Sequence, residues 1–246
     1  MDANTLLTQP KISVITATFN AASCLPALIE SLQNQTDKDF EWIIADGGST
    51  DETLALLEGI NDLNIKITSQ PDFGIYDALN RGIKLSSGDY YVVIGADDWF
   101  FSNAIHDFRQ AISEGIDIIT ANIKQDNKII SPLNKKPWLF GMQSYISNHA
   151  VATLFSKKLH TIFGYYSNKF PIAADNLFVL TAMKGHSTKL KQIPSVLGEF
   201  TLAGLSNTDI LGTLVENFRV QIKVGSNKYL QITLLFLRLL KHITRF

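Results

Sequence analysis

The chain has 246 residues, which suits one large α/β domain or two small ones, and 46% of them are hydrophobic, as in ordinary globular proteins. Its formal net charge of −1 argues against a global field for nucleic acid. A single cysteine, Cys24, excludes an intrachain disulfide and indicates a reducing compartment. The N-terminus lacks the basic start and apolar run of a signal peptide, and no apolar run reaches about 18 residues, so we expect a cytoplasmic protein without a transmembrane helix.

The first hundred residues alternate between strand and helix patterns. Runs rich in β-branched and apolar residues predict strands at 12–17, 40–45, 65–68 and 90–94. Apolar residues at helical spacing predict helices at 22–35, 50–57 and 75–85. Strands that alternate with helices in this way indicate a mostly parallel central sheet flanked by helices, which is an α/β fold.

The second half is less regular. We expect strands at 116–120 and 151–155, an edge hairpin at 127–133 and a helix at 176–184. Mixed strands after a parallel half suggest a further region built onto the same sheet.

Polar side chains gather where the predicted strands end. They are Thr18, Asn20, Asp46, Asp72, Asp97 and Asp98. Open α/β sheets bind ligands at the carboxyl ends of their strands. The adjacent carboxylates Asp97 and Asp98 repel each other unless a cation lies nearby, and Mg²⁺ and Mn²⁺ prefer oxygen ligands together with phosphates. The pair therefore predicts a site for a divalent metal and a diphosphate; the alternative is that it caps the next helix.

Four stretches together resemble the inverting glycosyltransferases of family 2, whose fold is called GT-A. They are residues 13–20, 42–51, 72–82 and 88–98, in the order and spacing of that family. The resemblance implies a nucleotide-diphospho-sugar donor. In it, Asp46 accepts a hydrogen bond from the imide N–H of uracil; the alternative is a turn or helix cap.

The resemblance also implies roles for the residues around the donor. Thr18 and Asn20 lie by the base and ribose, although Asn20 serves equally well as a turn residue, and Asp72 touches the ribose or base. Asp77 and Asn80, three apart on one helix face, point towards sugar and phosphate. Arg81 is a candidate partner of the diphosphate because a guanidinium binds phosphate bidentately; the alternative is a solvated helix residue.

For the metal, Mn²⁺ or Mg²⁺, the resemblance makes Asp98 the direct ligand and places Asp97 towards the ribose or a metal-bound water. Ala96 departs from the fuller family motif, which carries a polar or acidic residue there. His149 approaches the diphosphate or metal in the resemblance, and its alternative is a structural histidine.

An inverting transfer needs one general base to deprotonate the acceptor hydroxyl. The resemblance selects Asp175, which follows two small residues and precedes a predicted helix; position alone would make it an ordinary N-cap. Many relatives have Glu-Asp here, whereas this chain has Ala174 before the Asp. The loop at 201–207 takes the place where relatives close over the substrate.

The C-terminal tail combines a basic stripe with a broad apolar surface. Arg238, Lys241, His242 and Arg245 share one narrow helix face. The segment 230–246 is typical of an interfacial membrane helix, and the alternative is a helix docked on the core or on a partner subunit. Residues 210–224 are also amphipathic.

We therefore expect a GT-A domain at 1–207, with a nucleotide-sugar-binding half at 11–100 and an acceptor-side half at 101–207, and an amphipathic helical tail at 208–246. The expected reaction is metal-dependent inverting transfer from a nucleotide-diphospho-sugar, UDP-linked, to a glycan or lipid-linked acceptor in polysaccharide biosynthesis. The alternative is a non-catalytic nucleotide-sugar-binding scaffold subunit. We expect no nucleic-acid partner, leave an oligomer open, and expect a peripheral position on the inner face of the membrane if the tail binds lipid.

Overall fold

The computed structural model describes residues 11–185, 187–201 and 209–242. Within these residues the strands are β1 (Ile12–Thr18), β2 (Phe40–Asp46), β3 (Ile65–Ser69), β4 (Tyr90–Val93), β5 (Trp99–Phe100), β6 (Ile118–Gln125), β7 (Lys128–Ile130), β8 (Thr153–Ser156) and β9 (Leu190–Glu199). The helices are α1 (Leu25–Gln33), α2 (Thr53–Glu58), α3 (Ile75–Leu85), α4 (Ala104–Ala111), α5 (Pro137–Phe140), α6 (Lys158–Phe163), α7 (Ala174–Lys184), α8 (Ile210–Lys223) and α9 (Lys228–His242).

One mixed sheet organises these elements, in the order β3-β2-β1-β4-β8-β6-β9-β5, with β7 paired to β6. β3, β2, β1 and β4 are parallel, and β1 and β2 run in register from Ile12 beside Phe40 to Thr18 beside Asp46. β8 is antiparallel to β4 and β6. The expected α/β fold with a parallel first half and a mixed second half is confirmed.

The core has two layers because alternate strand residues face opposite sides of the sheet. Val14 and Trp42 pack on the side of α1, whereas Ile15 and Ile43 pack on the side of α3. All seven residues of β2 are buried, as expected of a parallel strand covered on both faces. This packing fixes the carboxyl ends of β1, β2, β3 and β4 along one edge.

Several elements of the second half differ from the sequence-based expectation. β9 is a ten-residue strand that the sequence pattern did not reveal, because Pro194 interrupts its apolar run. The two-residue strand β5 and the helices α4 and α6 were also missed. The hairpin was predicted at 127–133; its turn lies at Asp126 and Asn127, whose positive φ angles of 45° and 62° suit a tight hairpin turn.

The C-terminal helices α8 and α9 meet at a turn that contains Gly225. α8 buries Val220 in the core, and Asp209 caps it by accepting from the amide of Gly212 at 2.7 Å. α9 docks on the chain: the Gln231 side chain donates to the carbonyl of Trp138 at 2.7 Å, and Arg238 donates to the carbonyl of Leu139 at 2.6 Å.

Docking corrects one part of the expected basic stripe. Arg238 was expected to face lipid headgroups, but it points at a backbone carbonyl because the docked face of α9 contains it. Arg245 lies outside the described residues. No helix among the described ranges is both long and apolar enough to cross a bilayer.

Candidate active site

Asp46 ends β2, is fully buried, and is saturated by donors from the protein itself. Its Oδ1 accepts from Thr18 Oγ1 at 2.9 Å and from Ser49 Oγ at 2.5 Å. Its Oδ2 accepts from the amides of Gly48 and Ser49, both at 2.9 Å, and from Ser69 Oγ at 2.6 Å. Burial alone would raise the pKa of Asp46, but these hydrogen bonds outweigh it and lower the pKa to about 2. Thr18 and Asp46 thus hold the turn closed, so a base could reach Asp46 only if the turn opened.

Asn20 joins the loops that follow β1 and β2. Its φ of 48° lies in the left-handed region, which asparagine tolerates. Its Oδ1 accepts from the amide of Thr50 at 2.9 Å, and its own amide donates to Ser49 Oγ at 2.8 Å. Asp51 accepts from the amide of Thr53 at 3.0 Å in the first turn of α2. Asn20 therefore acts as the turn residue, and its contact with a ribose stays a prediction.

Asp72, in the loop after β3, lies directly against Gly47. A Cβ added to Gly47 would come within 2.7 Å of Asp72 Oδ2 and 3.4 Å of the Phe19 ring, so a larger residue there would displace the Asp72 carboxylate. Asp72 Oδ1 accepts from the amide of Gly74 at 3.0 Å. The rings of Phe19 and Phe73 are 66% and 90% exposed. A carboxylate beside exposed rings offers both an acceptor and a stacking surface for a base.

Two predicted residues of α3 are engaged with backbone. Asp77 Oδ2 accepts from the amide of Phe73 at 3.3 Å, across the turn that begins the helix. Asn80 is buried; its Nδ2 donates to the carbonyl of Tyr166 at 2.8 Å, and its Oδ1 accepts from the amide of Tyr166 at 3.0 Å. Asn80 therefore fixes the segment around Tyr166, which is a positioning role that its helical spacing did not reveal.

Arg81 has buried donor nitrogens without hydrogen-bond partners among the described residues. Its Nη2 donates to the carbonyl of Asp46 at 2.5 Å, while Nε and Nη1 are buried and, within the described part of the chain, have no hydrogen-bond partner. A buried unsatisfied donor costs about 1–3 kcal/mol, and a charged one costs more. A guanidinium whose Nε and Nη1 are both unpaired can donate to two oxygens of a phosphate. The environment of Arg81 thus favours the diphosphate role over a solvated helix residue.

Asp97 and Asp98 follow β4. Asp98 is buried; its Oδ1 accepts from the amide of Thr201 at 2.8 Å and its Oδ2 from the amide of Gly95 at 3.2 Å. Burial, helped by the charge of Asp97, raises the pKa of Asp98 to about 7 against the effect of those amides. Asp97 Oδ2 accepts from Thr201 Oγ1 at 2.6 Å. Of the predicted closing loop 201–207, Thr201 alone lies within the described residues.

His149 is buried and belongs to a chain of four side chains. Its Nε2 lies 2.6 Å from the Tyr166 hydroxyl, which lies 2.8 Å from the Tyr91 hydroxyl, which lies 2.6 Å from His160 Nε2. Because His160 Nδ1 donates to a backbone carbonyl at 3.0 Å, its Nε2 must accept from Tyr91. Each hydroxyl then donates towards His160, and His149 donates from Nε2. Burial lowers the pKa of His149, so its Nδ1 keeps a lone pair.

Asp175 lies in the first turn of α7 and is half-buried. Its Oδ1 accepts from the amide of Asn176 at 2.7 Å. After burial, the charge of Asp175 is the largest cause that raises the pKa of Tyr76, and the same charge opposes the fall in the pKa of His149. The fold therefore brings Asp175, His149 and Tyr76 into one electrostatic neighbourhood.

Glu216 and two aromatic rings were missed from the sequence. Glu216 Oε2, on α8, accepts from the amides of Ile172 and Ala173, both at 2.9 Å, and so holds the approach to α7. No local signal marks Glu216, because its partners lie more than forty residues away. Phe19 and Phe73 did carry a signal: each is a large apolar residue in a polar loop at a strand end.

Most of the predicted residues lie at the carboxyl ends of β1, β2, β3 and β4. We call this side of the sheet the strand-end edge. An isolated bridge between Val93 and Ala150 brings His149 beside the end of β4, from which Asp97 and Asp98 follow. The donor set, two carboxylates and an imidazole lone pair, suits a divalent metal completed by phosphate oxygens. Among the residues that the structure describes, no group of three or more His, Cys, Asp or Glu side chains is placed to hold a metal ion.

Residues 13–167 match the sequence profile described as Glycosyl transferase family 2. A PGL/p-HBAD biosynthesis glycosyltransferase of Mycobacterium bovis is 42% identical over 96 residues, which are 37% of this chain and 37% of that protein. This chain thus spans little more than a third of such relatives. An uncharacterized glycosyltransferase of Mycobacterium tuberculosis is 30% identical over 184 residues, 72% of this chain and 70% of the relative.

Another relative is the GalNAc(5)-diNAcBac-PP-undecaprenol beta-1,3-glucosyltransferase of Campylobacter jejuni, 33% identical over 111 residues, covering 44% of this chain and 36% of the relative. Among solved structures, S. aureus TarS 1-349 in complex with UDP-GlcNAc superposes with a TM-score of 0.69 at 19% identity, covering 95% of this chain and 73% of TarS 1-349. Glucosyl-3-phosphoglycerate synthase from Mycobacterium tuberculosis, with Mn²⁺, UDP and phosphoglyceric acid, gives a TM-score of 0.61 at 18% identity, covering 89% and 80%. These superpositions show the GT-A fold.

Proposed function

This chain belongs to glycosyl transferase family 2, and we propose that it transfers a sugar, with inversion, from a UDP-sugar to a glycan or lipid-linked acceptor in polysaccharide biosynthesis. The observation that carries the proposal is the strand-end edge, where the unpaired nitrogens Nε and Nη1 of Arg81 and the carboxylates Asp97 and Asp98 lie. A guanidinium that can bind phosphate and two carboxylates that can bind a cation, on the same edge of the sheet, match a metal-bound diphosphate.

The donor base is read by Asp72 in this proposal. Uracil carries an imide N–H that needs an acceptor, and the Asp72 carboxylate lies against Gly47 beside the exposed Phe19 ring. Asp46 is already saturated by donors from its own turn and from β1 and β3, so it is not the proposed reader of the base. Proteins of the same fold bind UDP or UDP-GlcNAc, and another binds GDP-Man, so the choice of uracil rests on the Asp72 carboxylate and is tested below.

Mn²⁺ or Mg²⁺ is proposed as the cofactor, with Asp98 and His149 as its protein ligands and Asp97 beside them. The raised pKa of Asp98 reflects a buried charge that lacks a counter-ion. When bound, such an ion would supply positive charge to offset the charge on the diphosphate. The relay from Tyr166 to His160 holds the His149 ring so that Nδ1 keeps its lone pair.

Asp175 is the proposed general base. It takes the proton of the acceptor hydroxyl as the acceptor oxygen bonds to the anomeric carbon, and the bond from that carbon to the diphosphate oxygen breaks, so UDP leaves. Glu216 holds the amides of Ile172 and Ala173 just before α7 and thereby fixes where Asp175 stands. We propose that the acceptor side spans 101–207 and that the tail, 208–246, attaches peripherally to the membrane.

The direct test is release of nucleoside diphosphate from a panel of nucleotide-sugars with Mn²⁺, with and without an acceptor extract that contains lipid-linked glycans. We expect turnover with one UDP-sugar and none with the GDP- or CMP-linked donors. Binding of UDP without turnover of any UDP-sugar would instead support the scaffold-subunit alternative. Turnover of a GDP-sugar alone would overturn the assignment of the base.

A further inference from the structure

An open groove of about 510 Å³ lies between α8 and the segment that leads to α7. Its floor is apolar and consists of Phe170, Phe218 and Ile222. Its rim is cationic and consists of Lys169, Arg219, Lys223 and Lys228. Such a surface differs from the strand-end edge, which is rich in carboxylates.

Two of the rim cations lie over the groove floor, and none of the four has a carboxylate partner among the described residues. The Arg219 guanidinium carbon lies 4.7 Å and Lys223 Nζ 5.3 Å from the centre of the Phe170 ring. All four rim residues are exposed, and none forms an ion pair with a carboxylate in the described ranges. Four cations without counter-ions around an apolar floor attract an anion that carries an apolar body.

Positive charge is concentrated in the C-terminal part of the chain, which contains α8 and α9. Residues 209–246 hold six Lys or Arg against two Asp or Glu, a formal charge of +4. The preceding 208 residues hold 16 against 21, a formal charge of −5. The positive end of the molecule is therefore the end that builds the groove.

An apolar stripe continues from the groove along α9. The stripe consists of exposed residues at helical spacing, opposite the face that carries Gln231 and Arg238: Tyr229, Ile232, Phe236, Leu237 and Leu240. Their exposed fractions run from 48% to 70%, so the docked helix keeps a free apolar face. Lys228, on the groove rim, begins the same helix.

We propose that the groove binds the phosphate of a membrane lipid while the stripe enters the acyl boundary. A bilayer fits better than a protein partner, because it presents many phosphates above an apolar layer and so matches both surfaces at once. Phe170 lies five residues before Asp175, so this contact sets the acceptor side against the membrane. That consequence rests on the proposed transfer to a lipid-linked acceptor.

Co-sedimentation with vesicles tests the groove. The full chain is mixed at low salt with phosphatidylcholine vesicles, with or without phosphatidylglycerol. Lys223→Gln/Lys228→Gln removes two rim charges, and Lys128→Gln/Lys135→Gln is the control, because it removes two exposed charges at the β6–β7 hairpin and the following loop. We expect partition onto the anionic vesicles, weakened roughly 30-fold by the rim pair at about 1 kcal/mol per lysine, and little changed by the control.

A second comparison tests the stripe. Ile232→Ser removes an apolar side chain that is 54% exposed, and Ile129→Ser removes one that is 64% exposed on β7. We expect the first alone to weaken partition. Equal losses from groove and control variants, or no binding to anionic vesicles, would overturn the proposal, as would inorganic phosphate that binds the groove while vesicles do not. UDP binding by each variant, measured by calorimetry, is expected to match wild type, which separates this result from failure of the transfer reaction.

Discussion

At the residue scale, Asp46 and Asp72 differ in how many protein donors their carboxylates already accept from, although the resemblance implied a contact with the base for Asp46 and with the ribose or base for Asp72. Asp46 has five protein donors and no exposed surface, whereas Asp72 is half-buried beside Gly47 and has one amide donor. The motif around Asp46 could be recognised from the sequence. The saturation of its oxygens could not, because Ser69 and Thr18 reach it from two other strands.

We predict that Asp72→Asn weakens UDP binding at least tenfold and leaves stability unchanged, because it removes an acceptor from an accessible place. Asp46→Asn should instead lower the free energy of unfolding by about 3 kcal/mol, because an amide cannot accept every donor of the turn. Calorimetry with UDP and urea unfolding measure the two effects. If Asp46→Asn unfolded normally yet lost UDP, the uracil contact would return to Asp46.

Asp175 gives a sharper kinetic prediction. Asp175→Asn should lower turnover by about 10³-fold or more while UDP affinity stays within about twofold, because a general base acts in the transition state. Asp126→Asn is a matched control, since it lies in an exposed hairpin turn whose positive φ asparagine tolerates. Near-normal turnover of Asp175→Asn would move the base elsewhere, and Asp77 would be the next candidate.

At the scale of elements, the parallel half was predictable because periodicity and burial agree. α3 was expected at 75–85 and is found there, and β1 and β2 differ from expectation by one residue. β9 and β5 could not be predicted from local pattern. β9 pairs with β6 and β5 pairs with β9, and these contacts between distant parts of the chain decide that both segments are strands. The links between elements, such as Asn80 to Tyr166 and Glu216 to Ala173, are likewise tertiary.

The hydrogen-bonded chain of His149, Tyr166, Tyr91 and His160 leads to a prediction about how stability depends on pH. Burial lowers the pKa of His160 in the folded chain to about 4, whereas its pKa in the unfolded chain is about 6.5. Between these two pH values His160 is protonated in the unfolded chain and neutral in the folded chain. Stability from this residue is therefore intact above pH 6.5 and is lost as pH falls towards 4, by up to about 3 kcal/mol. The raised pKa of Asp98 acts in the opposite direction over the same window, so the wild-type curve alone cannot isolate His160.

Comparing the pH dependence of stability in the wild type and in a His160 variant isolates the contribution of His160. His160→Gln keeps a hydrogen-bonding side chain without the titration, so its free energy of unfolding should fall less than that of wild type between pH 7 and pH 4.5. Urea unfolding at a series of pH values gives both curves. Parallel curves would show that His160 does not titrate on unfolding in this window.

At the scale of the whole molecule, the C-terminal helices are joined by hydrogen bonds to the segment before α7 and to α5. Glu216 of α8 braces the segment before Asp175, and α9 braces the carbonyls of α5 through Gln231 and Arg238. The sequence offered docking and membrane contact as alternatives for the tail. The structure shows docking of one face of α9 and leaves the opposite apolar face free, so the two roles are compatible.

We predict that a chain ending at residue 226 loses about 3 kcal/mol of stability but still binds UDP. The loss follows from two part-buried hydrogen bonds to the carbonyls of Trp138 and Leu139, one of them charged and so worth about 1.5–3 kcal/mol. A chain ending at His242 is the control, because it keeps α9 as described. Urea unfolding compares the three lengths. If the chain ending at 226 unfolded like the full chain, the docked face of α9 would contribute nothing to the fold, and the helix would serve the membrane alone.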